Sequence, residues 1–190
     1  MILTIVKYGT PILRAKSAPV TKDHPNLEAL IANMWDTLEN ANGCGLAAPQ
    51  IGEALRIFIV DSKTTYEHMS VEEKIENYST DSGIRDVFIN AKITEYSREL
   101  CSDTEGCLSI PGMSEVISRP SVITIEYEDL NFQKHIREFR GLTARMIQHE
   151  YDHTEGKLYL DYLSPLKRSL LSNKLSRLKK GRFTSKYPMI

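Results

Sequence analysis

The chain has 190 residues, 41% hydrophobic and 26% charged: one domain's worth of ordinary globular sequence, able to bury about 70% of its unfolded surface without covalent staples. No stretch approaches the ~20 apolar residues of a membrane span. The opening apolar run breaks at Lys7, too early for a secretory signal, and three cysteines without a Cys-x-x-Cys exclude a disulfide framework and fit a reducing compartment. The net charge of −1 gives no sign of a nucleic-acid partner, yet it conceals a division. From Ser164 onward there are eight Lys or Arg and no acid, which leaves 16 bases against 25 acids in the rest.

In chain order, the first helix is predicted from about Asn26 to Ala41. Leu27, Leu30, Ile31, Met34 and Leu38 recur there at helical spacing, Pro25 suits the entry, and Asn42-Gly43 tolerates the left-handed exit. Leu55 to Val60 reads as a buried strand. Residues 62–85 are polar, acidic and weakly periodic, so a surface insertion with about one helical turn is expected. Val87 to Ile93 returns to strand character. Ser121 to Tyr127 and Phe132 to Phe139 alternate around the turn Glu128-Asp129-Leu130-Asn131, which predicts a hairpin. A helix follows from about Leu142 to His153, with Leu142, Met146 and Ile147 on its apolar face and Gly156 as its stop. The last element is a basic helix from about Pro165 to Lys180, whose Leu166, Leu170, Leu171, Leu175 and Leu178 read as an apolar stripe packed on the domain. Strands set apart from helices argue for an α+β domain.

The most specific local signal is His149-Glu150-Tyr151-Asp152-His153. Histidines at i and i+4 lie one above the other on a helix face and can reach one metal ion, with the glutamate beside them placed to accept a proton. Two helix histidines without a metal are the plainer alternative, so a third ligand is needed. Downstream, Tyr159 stands where a further ligand would fall, and Asp161 is the last acid, which argues against an ordinary zinc protease. Upstream, Glu105-Gly106-Cys107-Leu108-Ser109 offers a thiolate beside a glycine, 42 residues before His149. Cys44 and Cys101 lack such flanks and are read as structural. A third segment, Gly43-Cys44-Gly45-Leu46-Ala47-Ala48-Pro49-Gln50, contains a weak dinucleotide fingerprint. That reading fails because the segment closes a helix and ends in proline, where the fingerprint must follow a strand and open a helix. A backbone held open beside a ligand, with the Gln50 amide as donor, fits better.

Together these three segments, in this order, resemble the peptide deformylases, whose pattern is Gly-x-Gly-Leu-Ala-Ala-x-Gln, then Glu-Gly-Cys-Leu-Ser, then His-Glu-x-x-His on a helix. The resemblance extends to Tyr8-Gly9, Pro11, Leu13-Arg14, Arg119 and Gly156-Lys157-Leu158, and spans nearly the whole chain outside residues 62–85. It implies an α+β fold with mixed or antiparallel sheets around a central metal-binding helix and a C-terminal helix. It also implies hydrolytic removal of the formyl group from the methionine that begins a newly made polypeptide, in the bacterial cytoplasm.

Carried over by position, the resemblance makes Cys107, His149 and His153 ligands of one divalent metal. Fe²⁺ is expected, with Zn²⁺, Ni²⁺ or Co²⁺ as substitutes. Glu150 becomes the acid–base residue, Gln50 and the Leu108 N–H the oxyanion donors, and Gly45 and Arg119 contacts to the substrate chain. Ile147 is the expected lining of a methionine pocket, with ordinary core packing as the alternative. Residues 1–163 would form the catalytic body and 164–190 a basic helix and tail packed on it. For the basic face two readings stand: a solvated surface balancing an acidic body, or a contact with ribosomal RNA. No membrane or DNA partner is expected. The competing functions are a metalloprotease or other amidase, and a metal- or ribosome-binding protein without catalysis.

Overall fold

The computed structural model describes residues 1–78 and 83–190. A five-stranded antiparallel sheet forms its centre. Its strands are β1 (Gly45–Ala47), β2 (Ile57–Asp61), β3 (Arg85–Tyr96), β6 (Val122–Glu128) and β7 (Lys134–Arg140), in the order β1-β2-β3-β6-β7. A separate hairpin pairs β4 (Leu100–Gly106) with β5 (Ser114–Pro120).

Side-chain alternation explains why the sheet is covered on both faces. On β2, Phe58 and Val60 point into one core layer and Ile57 and Ile59 into the other. The first layer is closed by α4 (Gly141–Thr154) through Leu142, Ala144, Met146 and Ile147. The second is closed by α1 (Leu27–Asn40), which buries Leu27, Ile31, Met34 and Leu38 as its periodicity demands. Phe58 and Phe88 face each other in register and stack at 4.8 Å, locking β2 to β3 above the α4 layer. Asn42 takes a positive φ just after α1, as expected.

Three expectations need correction. The 62–85 segment contains two helices, α2 (Ser62–His68) and α3 (Val71–Tyr78), while its residues 79–82 lie outside the described residues. Caps build both helices. The Asp61 carboxylate accepts from Thr64 N–H (2.9 Å) at the start of α2. Before α3, Ser70 and Glu73 exchange bonds: Ser70 N–H to Glu73 Oε2 (2.9 Å) and Glu73 N–H to Ser70 Oγ (3.2 Å), a capping box that the weak apolar periodicity hides.

Next, the β4–β5 hairpin went unpredicted, because β4 is largely solvent-exposed and carries Ser102, Asp103, Thr104 and Glu105 in place of an apolar alternation. Finally, the leucine stripe of α5 (Pro165–Lys179) is split. Leu175 and Leu178 are buried and Leu171 partly so, against Leu158, Tyr159, Leu160 and Leu163. Leu166 and Leu170 are 72% and 75% exposed. At 3.6 residues per turn these two fall on the far side of the helix from Leu175, so the five leucines never shared a face.

Candidate active site

Helix α4 is unusual in being buried on nearly all sides while carrying Arg145, Gln148, Glu150, Asp152 and His153 among its buried residues. Buried polar groups require partners, and most here have them. Gln148 Nε2 donates to Pro120 O (2.9 Å), and Asp152 Oδ2 accepts from Arg119 (2.8 Å) and from Tyr162 Oη (2.8 Å). Two side-chain atoms of α4 do not: Glu150 Oε2 and His153 Nδ1.

Through its other ring nitrogen, His153 joins a group of soft and nitrogen donors. Cys107 Sγ, from the loop after β4, lies 3.3 Å from His153 Nε2, and the ligand atoms of Cys107, His149 and His153 all fall within 4.8 Å of one another. Metal–sulfur and metal–nitrogen bonds of ~2.3 and ~2.1 Å at a tetrahedral angle separate their donors by roughly 3.6 Å, so this set fits one small divalent ion with a fourth position left open. Burial above all holds the His153 pKa well below the usual imidazole range, which keeps a lone pair available.

His149 is oriented by Glu105, whose Oε2 accepts from His149 Nδ1 at 3.1 Å. That leaves the other ring nitrogen for the cluster. Glu105 Oε1 accepts from Arg119 Nε (2.7 Å) and Arg145 Nη1 (2.6 Å), and its Oε2 also accepts from Arg119 Nη2 (2.9 Å). Burial alone would raise the Glu105 pKa; the bonds from His149 and Arg119 overturn that and hold it at about 2.

Glu150 has the opposite surroundings. Desolvation pushes its carboxyl up to about 7, against smaller opposing effects of His149 and Arg119. Space for it exists because β1 contributes a glycine there: a Cβ on Gly45 would stand 2.5 Å from Glu150 Oε1. Gln50 sits in a 3₁₀ turn (Ala48–Ile51) just after β1. Its Oε1 accepts from Ala47 N–H (2.8 Å), which turns Nε2 toward Cys107 Sγ (3.6 Å) and Ser109 Oγ (3.4 Å).

All of this opens into a cleft of about 1300 Å³. Its lining includes Gly45, Gln50, Cys107, Leu108, His149 and Glu150 at the centre, with Thr64, Thr65 and His68 of α2 at one rim. Among the described residues no helix is long and apolar enough to cross a membrane.

The polypeptide deformylase family model matches residues 2–169. A peptide deformylase of Christiangramia forsetii is 47% identical over 189 residues, covering all of this chain and 95% of the relative. One of Flavobacterium psychrophilum is 45% identical over 189 residues, with 100% and 96% covered. The chain belongs to the polypeptide deformylase family. The fold agrees: the crystal structure of the peptide deformylase of Ehrlichia chaffeensis superposes with a TM-score of 0.80 at 34% identity, covering 95% of this chain and 98% of that one. A peptide deformylase of Legionella pneumophila gives 0.77 at 32% identity, with 96% and 98% covered.

In this deformylase-family chain, Cys107, His149, His153, Glu150, Gln50, Leu108 and Gly45 meet at one centre, and two expected residues stand apart. Arg119 is 2% exposed, paired with Glu105 and Asp152 and stacked on the Tyr162 ring at 4.6 Å. The expected substrate contact is therefore corrected: its guanidinium braces the ligand frame from behind. Ile147 is fully buried in the core layer with Phe58 and Phe88, and the apolar cleft wall on α4 is made by Leu142 and Met146. The expected pocket role is corrected to core packing. Cys44 lines the same cleft, but burial foremost, then the Glu150 charge, raises its thiol to about 12, so it stays protonated.

Residues that sequence reasoning left unassigned are Glu105, Arg145 and Asp152. Arg145 precedes His149 by four positions and shares its helix face, a signal that was present. Glu105 lies inside the cysteine motif, where no local pattern reveals its partners.

Proposed function

We infer that Cys107, His149 and His153 hold one divalent ion, Fe²⁺ in the cell, and that the formyl group of a formyl-methionyl chain end is hydrolysed beside it. The observation that carries this reading is the convergence of three donors on one point of a helix whose neighbouring Glu150, buried with one unpartnered oxygen, lines the same cleft as Cys107 and His149. A thiolate with two imidazoles suits Fe²⁺ as well as Zn²⁺. When bound, the ion supplies Lewis acidity that makes water nucleophilic at neutral pH.

The chain's own residues do the rest. Glu150 accepts a proton from the attacking water and returns it to the amine nitrogen as the C–N bond breaks, giving formate and a free amino terminus. Gln50 Nε2 and Leu108 N–H donate to the formyl oxygen as it gains negative charge; one such donor is worth roughly 2.7–4 kcal/mol. Leu142 and Met146 give the methionine side chain an apolar wall. Arg119, Arg145 and Glu105 keep His149 aimed.

Residues 1–163 would act as the catalytic body, in the cytoplasm of a bacterium, with 164–190 as a basic appendage. Lys167, Arg168, Lys174 and Arg177 are exposed on α5; Lys167 and Arg168 already pair with Glu115 and Asp161, and Lys174 and Arg177 extend the basic face offered to ribosomal RNA. Charge reversal at these four positions should reduce co-sedimentation with ribosomes; equal co-sedimentation removes the contact.

The central test is formate release from a formyl-Met peptide by anaerobically purified protein, with metal analysis of wild type and Cys107→Ser. Turnover abolished by a chelator, and metal lost in the variant, are expected. No turnover, or equal metal content, overturns the reading.

A further inference from the structure

The extended segment near the amino terminus works as a strip with two edges. On one edge Val6 N–H donates to Gln50 O (2.7 Å) and Tyr8 N–H to Ser109 O (2.8 Å). On the other, Ile5 N–H donates to Pro188 O (2.9 Å), Lys7 N–H to Ile190 O (2.8 Å), and Ile190 N–H returns to Ile5 O (3.0 Å). A parallel bridge joins Ile5 to Met189. One strip thus ties the last residues of the chain to both segments that carry the assigned oxyanion donors.

The tail also reaches the site directly. Residues 184–187 line the cleft, and Tyr187 packs its ring on the α1 core layer while its Oη donates to Leu108 O at 2.8 Å. Three successive carbonyls beginning at Cys107 are therefore held. Cys107 O accepts from Ile110 N–H (2.8 Å), Leu108 O from Tyr187, and Ser109 O from Tyr8 N–H. Leu108 N–H, in contrast, donates to no protein acceptor among the described residues. Leu108 N–H shares its planar peptide with Cys107 O, which Ile110 N–H holds. Leu108 O belongs to the next peptide plane, joined to the first only through the φ and ψ of Leu108, so the Tyr187 bond restrains those two dihedrals and with them the direction of Leu108 N–H.

We propose that Tyr187 is a positioning residue for the oxyanion site: its hydroxyl, delivered by the C-terminal tail, holds the Leu108 segment so that the Leu108 N–H faces the formyl oxygen. This rests on the deformylase reading of Leu108 and Gln50 given above. Donors of this kind act only when held within ~0.5 Å of the productive geometry, and a displacement of ~1 Å costs up to ~10²-fold in rate. The ring alone would serve for packing; the hydroxyl adds the directional restraint.

The test compares full-length, metal-loaded wild type with Tyr187→Phe, which keeps the ring and removes the one bond. A formyl-Met tripeptide gives kcat and KM, and amide exchange by mass spectrometry follows residues 107–110. The variant should lose about five- to tenfold in kcat, with KM, metal content and melting temperature unchanged and faster exchange in 107–110. Unchanged kcat with unchanged exchange overturns the proposal. So does a parallel fall of kcat, KM performance and melting temperature, which would make the hydroxyl merely structural. Wild type that releases no formate is a separate result: it overturns the deformylase reading, and this inference with it.

Discussion

Two glutamates are buried within one side chain's reach of His149, and their surroundings could hardly differ more. Glu105 receives four hydrogen bonds, from Arg119, Arg145 and His149, and is held at about 2. Glu150 keeps an unpartnered oxygen, and burial pushes it up to about 7. A carboxylate that supports the frame is saturated with donors and stays ionised. One that must take and give a proton is left short of them, so that neither protonation state is strongly preferred. A cation seated beside Glu150 adds an attraction to its ionised form, which draws it back toward the carboxylate. In the proposed mechanism the same residue type plays two parts, divided by the donors and charges that surround each carboxyl.

The sharpest way to break this contrast is to neutralise the unsaturated member. Glu150→Gln should lower formate release by roughly 10²–10⁴-fold, with metal content and melting temperature retained. A loss of metal together with the activity would move Glu150 into the frame and erase the distinction.

Gly45→Ala attacks the same residue by crowding it, since the new Cβ would press on three atoms of the Glu150 carboxyl arm. A loss of about 10²-fold in kcat is expected, with smaller change in KM; kinetics on the formyl-Met tripeptide decide it. Indifference there would mean that the carboxylate has room to spare.

Glu105→Gln strikes the saturated member. It takes from Arg145 its ion-pair partner and leaves Arg119 with Asp152 alone, so a cost of about 3–5 kcal/mol is expected. Thermal unfolding should register this as a fall on the order of 10 °C, with metal affinity weakened ~10–100-fold through His149. If Glu105→Gln left stability intact while abolishing chemistry, the two glutamates would have exchanged roles.

The smallest effect should come from far outside the contrast. Leu166→Ser with Leu170→Ser alters two exposed side chains of α5 and should shift stability by no more than about 0.5 kcal/mol each, with formate release unchanged. A large loss of stability would show that this face is covered in solution.

Legibility in the sequence followed the range of the interaction. The α1 stripe, the β6–β7 hairpin and the metal helix each declare themselves within a dozen residues, because periodicity and caps are local. The β4–β5 hairpin does not, because its strands are polar and are held by each other and by the Arg119–Glu105 pair. Helix α3 announced itself only through a capping box. The α5 leucines misled because composition was read where angle mattered. Arg119 misled for another reason: a motif arginine near a cleft is as readily buried behind it as exposed within it, and only Glu105 and Asp152 together select the first.

By itself, then, the sequence determined the chemistry of the centre: a cysteine, two imidazoles one helical turn apart, a glutamate between them, and a glycine and a glutamine on a separate segment. Residue type and i, i+4 spacing suffice for that. Tertiary structure alone decided which polar groups are satisfied and which are not. Glu105, Arg119, Arg145 and Asp152 come from β4, β5 and α4, and Tyr187 meets Leu108 from 79 positions away. Hydrogen-bond saturation depends on which distant segments arrive at one point, and no local pattern of side chains encodes that arrival.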